Sequence, residues 1–145
     1  MQDNATTFVP ASLPVRVAAM IYESLLVIAV LFVASFIVLP VVGDLHSGWQ
    51  RHLFQAYLVI VLFAYFAAFW RRSGQTLAMK TWRIRLDDRS GGRVSSRQAL
   101  LRFALALAGA LLAGAGFWWA LFDRERQFFH DRVAGTRLVR VPPKA

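Results

Sequence analysis

The chain has 145 residues, of which 57% are hydrophobic and only 17% charged. Its mean hydropathy is +0.47, which leaves too little polar surface for a water-soluble globule of this size and points to one membrane-embedded domain spanning 1–145. There is no cysteine, so disulfide scaffolds and thiolate metal sites are excluded. The formal net charge of +9 is carried by arginines lying between apolar blocks. Anionic lipid headgroups account for it more simply than nucleic acid does, and no nucleic-acid partner is expected.

Met1 to Pro14 is polar, lacks Lys and Arg, and precedes an apolar run with no small-residue cleavage site, so the first helix is expected to be retained. Val17 to Leu39 is apolar apart from Tyr22, Glu23, Ser24 and Ser35. As a helix it measures about 35 Å, enough to cross hydrocarbon. Pro14 suits its first turn, and Pro40 with Gly43 is expected to end it. A second apolar run, Leu53 to Trp70, closes on Phe69, Trp70, Arg71 and Arg72, an aromatic belt followed by headgroup-level charge.

The connecting segment 71–98 is basic, and with Arg102 it sets nine cations against Asp87 and Asp88. The loop Val41 to His52 holds only Asp44 and Arg51. The positive-inside rule therefore places the N-terminus and the basic segment in the cytoplasm. Within that segment Thr76 to Trp82 reads as a short interfacial helix, Ile84 and Leu86 as a brief strand, and Asp87 to Gly92 as a turn. Ser95 or Ser96 caps the next helix.

The third apolar run, Ala99 to Phe122, is interrupted by Gly109, Gly114 and Gly116. A single crossing would place the basic tail, 123–145, outside, against the charge rule, so the run is expected to break and return, with a straight spanning helix as the plain alternative. Thr136 to Val141 resembles Trp82 to Leu86, and the two segments can pair as strands only on one side of the membrane. The expected fold is thus an all-α membrane protein with about three hydrophobic helical segments and a small cytoplasmic two-strand element.

Glu23 is the sharpest chemical signal. It sits about 10 Å along the helix from Arg16, where a carboxyl is costly unless paired, hydrated or protonated. Proton exchange and a structural bond to a neighbouring helix are both open readings. Arg16 is expected to reach lipid phosphate, meet a tail acid such as Asp131, or serve as a simple anchor. His130 and Asp131 follow two phenylalanines near the membrane surface, and no metal site is expected because His46 and His52 lie across the membrane in this topology. Tyr57, Tyr65 and Gln55 are candidates for a polar seam, with packing the default. Ala106, Ala110 and Gly114 form a small-residue stripe suited to close helix contact. No recognisable enzymatic motif is present, and neither enzymatic activity nor a cofactor is expected.

Taken together, these residues resemble the RDD family of small bacterial membrane proteins. The resemblance rests on Arg16-x-x-Ala19 with an acid at Glu23, on Gly74-Gln75-Thr76-Leu77-Ala78-Met79-Lys80, and on His130-Asp131-x-x-Ala134-Gly135-Thr136. Glu23 stands where the family has aspartate, and Ala78 replaces a glycine. The resemblance implies Arg16, Glu23 and Asp131 as the defining triad and a bacterial inner-membrane location. It further implies transport of a small solute, or of a cation in exchange for a proton; a non-transporting scaffold or assembly factor is the alternative. Three helices enclose little, so a homo-oligomer or another membrane protein is expected as partner, alongside the anionic bilayer.

Overall fold

A computed structural model describes residues 9–43, 48–112 and 114–142. The residues before Val9, the loop residues Asp44 and His46, and Lys144 lie outside this set. In chain order the elements are α1 (Leu13–Val42), α2 (Gly48–Arg72), α3 (Leu77–Thr81), β1 (Ile84–Asp88), α4 (Ser96–Leu111), α5 (Ala115–Phe122), α6 (Phe129–Ala134) and β2 (Thr136–Arg140).

Helices α1 and α2 are long and apolar enough to cross a membrane. Their outward faces carry Ile28, Phe32, Phe36 and Ile60, all 63% exposed or more. Such surface is stable against hydrocarbon and not against water. Both helices are longer than the apolar runs suggest. α1 begins at Leu13, with Pro14 in its first turn. α2 begins at Gly48, where Gln50, Arg51 and His52 continue the helix although they are polar. Pro40 does not stop α1: its fixed φ is helical and costs one ladder bond, so the chain continues to Val42. Gly43 then ends the helix at φ +69°, its N–H reaching the Leu39 carbonyl at 3.0 Å.

The third run is broken as its glycines imply. α4 and α5 meet at 99°, and at about 24 Å and 12 Å neither alone matches the hydrocarbon thickness. Gly114, in the left-handed region, starts α5. Across the bend the backbones of Gly109 and Gly116 approach so closely that a β-carbon on Gly109 would lie 3.4 Å from the Gly116 nitrogen. The stripe Ala106, Ala110, Gly114 is therefore not one continuous helix face, because its last member belongs to the bend.

At one end of the helices the polar segments form a layer. β1 and β2 pair antiparallel, Ile84 opposite Arg140 and Asp88 opposite Thr136. The strand continues through Asp87 and Asp88, where a turn was expected, because Asp87 pairs with Arg85 along the strand (2.6 Å) and faces Arg137 across it. Beside β2 the segment leading into α1 adds two backbone bonds, Ala11 N–H to Leu138 O (3.1 Å) and Arg140 N–H to Val9 O (2.9 Å). The entry to α1 and the strand β2 near the far end of the chain thus lie in one layer. Ser95 caps α4 through a capping box with Gln98, whose amide also bonds Asp88 at 2.6 Å. Beneath the layer Ile84, Leu86, Leu138, Val94, Met79, Ala99, Trp70 and Phe103 form the core.

Gly74 turns the chain from α2 towards this core at φ +69°, and its carbonyl accepts the Leu86 N–H at 2.7 Å. A β-carbon there would lie 2.7 Å from the Leu86 oxygen, whereas one at Gly92 meets only Ser90 Oγ at 3.7 Å. Gly74→Ala is expected to destabilise the detergent-solubilised protein by about 1–3 kcal/mol, while Gly92→Ala leaves the thermal midpoint nearly unchanged. Equal midpoints for the two variants would refute this account of the turn.

Candidate functional site

The site lies where the layer meets the helices. Glu23, on α1, is half-buried, and both of its oxygens are engaged. Tyr65 on α2 donates to Oε1 at 3.0 Å, and the Thr76 hydroxyl donates to Oε2. Thr76 is fully buried and accepts the Met79 N–H at 3.3 Å, so one hydroxyl both caps α3 and fastens it to α1. Of the three candidate seam residues only Tyr65 reaches the site. Tyr57 bonds the Ala34 carbonyl at 3.3 Å, and Gln55 pairs with His52.

Arg16 is 2% exposed, so it does not reach out to the bilayer surface as a simple headgroup anchor. Its Nη1 donates to the Arg126 carbonyl at 2.5 Å, and its Nε is buried without an acceptor. Asp131 instead accepts from Arg102 Nε at 2.6 Å, both side chains being buried. The Arg102 guanidinium also lies 4.3 Å from the centroid of the Trp70 ring. Arg16, Glu23 and Asp131 are therefore neighbours but not bonded to one another; each is held by a different partner. Arg102 was legible: it stands inside an apolar stretch, the property that singles out Glu23, yet was grouped with the surface cations. Nothing in the sequence marks the Arg126 carbonyl as a ligand.

His130 lies 3.8 Å from Asp131 Oδ1 and packs between Phe117 and Phe128. Burial pushes its imidazole down to about 4, against the pull of Asp131, so it is neutral at neutral pH. Asp123, at the end of α5, is held below the usual carboxylate range first by the Gln127 amide, with Arg132 adding to the effect. Among the described residues no three His, Cys, Asp or Glu side chains gather as a metal site would require.

Arg16, Glu23, Arg102 and His130 line one cavity of about 390 Å³ between α1, α2 and α4. Its remaining wall is almost wholly apolar, running down to Ile28 on α1 and Ala110 on α4.

Two long apolar helices, a bent third segment and a cluster of buried ionisable side chains beneath a polar layer define a helical membrane protein. The chain belongs to the RDD family, whose family model matches residues 10–135. It is also similar to the uncharacterized protein RP437 of Rickettsia prowazekii (strain Madrid E), 29% identical over 83 residues, covering 57% of this chain and 46% of that protein. The chain thus spans less than half the length of that relative. No solved structure matches.

Removing one partner of a buried ion pair leaves a lone charge, so Arg102→Met is expected to cost about 3–5 kcal/mol, most of it recovered in the double variant Arg102→Met/Asp131→Leu. Additive losses in that double-mutant cycle would count against the pair.

His130 has a folded pKa below its unfolded value of 6.5, so its contribution is complete above pH 6.5 and is lost as pH falls towards 4. Over that window wild type is expected to lose about 3 kcal/mol more stability than His130→Phe. Parallel pH profiles would show that His130 is not buried in its neutral form.

Proposed function

We propose that this protein exchanges a small cation, or a small solute, for protons across the bacterial inner membrane, with Glu23 as the group that carries the proton. The observation that carries this reading is a carboxyl inside α1, on a cavity wall, held by two hydroxyls rather than by a cation. A hydroxyl donates to a carboxylate and, after turning, accepts from a carboxylic acid. With one hydroxyl turned to accept from the protonated carboxyl and the other still donating, Glu23 keeps hydrogen-bond partners in both protonation states. The nearby cations are otherwise engaged: Arg102 with Asp131, and Arg16 with a backbone carbonyl.

In this reading the layer containing β1 and β2 faces the cytoplasm, both chain ends lie on that side, and the arginines of 71–98 meet anionic headgroups. The site acts by binding and proton transfer, without enzymatic chemistry. A continuous path across the bilayer needs more wall than one chain supplies, so the working unit is a homo-oligomer or a complex with another membrane protein.

A second reading is favoured by the Thr76 hydroxyl, which links α1 and α3 through one oxygen. In a scaffold or assembly factor that clamp would be the whole purpose of Glu23.

Liposomes containing the purified protein and a pH dye separate the two readings when sodium, lithium and potassium gradients are imposed in turn. Exchange predicts a cation-driven pH change that is abolished in a Glu23→Gln variant of unaltered thermal midpoint. A scaffold predicts no flux in either protein and a marked fall in the midpoint on substitution. Absence of flux from wild type across all three cations overturns the exchange reading.

A further inference from the structure

Arg16 poses a problem that the rest of the fold leaves unsolved. A guanidinium removed from solvent is tolerated when a carboxylate or other anion meets it. At 2% exposure, Arg16 has a single bond, to a neutral carbonyl, and its Nε has no acceptor. Among the described residues no carboxylate lies within ion-pair distance of it. The two acids on its side of the fold, Asp131 and Asp123, act on it only at a distance: they are bonded to Arg102 and Arg132, with Asp131 Oδ2 left buried without a hydrogen-bond partner. Trp70, also in the cavity wall, likewise has a buried indole N–H with no acceptor. One end of the cavity thus offers two unused donors and a guanidinium with no carboxylate in ion-pair contact.

The other end is different in kind. Val27, Ile28, Leu107 and Ala110 offer only hydrocarbon. Arg16 to Ile28 covers about 18 Å along α1, and Arg102 to Ala110 about 12 Å along α4. Ile28 is 63% exposed and Ala110 is also exposed, so the apolar end reaches the lipid-facing surface of the bundle. A hydrated inorganic ion would satisfy the polar end and leave the apolar end empty; a neutral hydrocarbon would do the reverse.

We infer that the cavity binds a single-chain amphiphile with an oxyanion head, a fatty-acid carboxylate or a monoalkyl phosphate. The head pairs with Arg16, and the chain lies between α1 and α4. Entry is lateral, past Ile28 and Ala110, from the bilayer. This binding is independent of ion exchange at Glu23, since a chain that moves no cations can still hold the amphiphile.

The test uses the full chain in phosphatidylcholine nanodiscs, radiolabelled dodecanoate in a scintillation-proximity assay, and empty nanodiscs as blank. Saturable binding is expected, displaced by unlabelled dodecanoate and by dodecyl phosphate, with dodecanol at least about tenfold weaker and inorganic phosphate without effect. Whichever acid-headed compound displaces better identifies the head as carboxylate or phosphate. Arg16→Gln is expected to weaken binding at least about tenfold, with Arg16→Lys retaining part of it. Ala106→Phe, which fills the cavity wall without touching Arg16, is expected to abolish it and keeps the test decisive if the arginine variants do not fold. Binding no greater than that of empty nanodiscs overturns the inference. So does equal displacement by dodecanol, displacement by inorganic phosphate alone, or full binding by a folded Ala106→Phe protein.

Discussion

Arg102 enters the bundle in the second turn of α4, and Asp131 on α6 comes down to meet it at 2.6 Å. Neither charge is tolerable alone at that depth, and their pairing decides where the tail must lie. With α6 held against α4, β2 follows directly and reaches β1, while the segment before α6 brings the Arg126 carbonyl over Arg16. The bend between α4 and α5 serves the same end. A chain that ran straight on would carry Asp131 away from the arginine that needs it.

Glu23 does for the first half of the chain what Asp131 does for the second. Through Tyr65 and Thr76 it ties α1 to α2 and to the short α3 below the layer. The two acids differ in what holds them. Asp131 is fixed by a guanidinium, a partner that keeps one charge state, whereas Glu23 is held by hydroxyls that serve two. A static pair and an adaptable one thus sit by the same cavity, and it is to the adaptable one, Glu23, that the proposed function gives the proton.

Local chemistry made much of this legible in the sequence. The cap at Ser95 and the break at the third run's glycines depend on residues close in sequence, while the strand pair, distant along the chain, shows in the likeness between Thr136 to Val141 and Trp82 to Leu86. Helix ends were less legible: Gln50, Arg51 and His52 remain helical at headgroup depth, where polarity no longer signals a boundary, and Pro40 is absorbed in the last turn of α1. Arg16 and Glu23, singled out by their place in an apolar helix, do line one cavity, and Asp131 is buried against Arg102 in its wall. Their partners were not legible. Arg16 is answered by a main-chain oxygen 110 residues away, which any residue at position 126 would provide, so no side chain advertises it.

The layer has a consequence for how the chain is made. Ala11 and Val9, among the first described residues to leave the ribosome, find their hydrogen-bond partners in Leu138 and Arg140, among the last. Helices α1 and α2 can enter the bilayer during synthesis, but the strand edge of β1 stays unpaired until β2 has been made, and Arg16 lacks even its carbonyl partner until Arg126 has been added. Such a chain keeps its polar surfaces open while α1 to α5 are made and closes them when α6 and β2 arrive. A nascent product stalled before α6 would therefore display a bare β1 edge and, at Arg102, a cation without its Asp131 partner, features by which membrane quality control could tell a chain lacking α6 and β2 from one that has them.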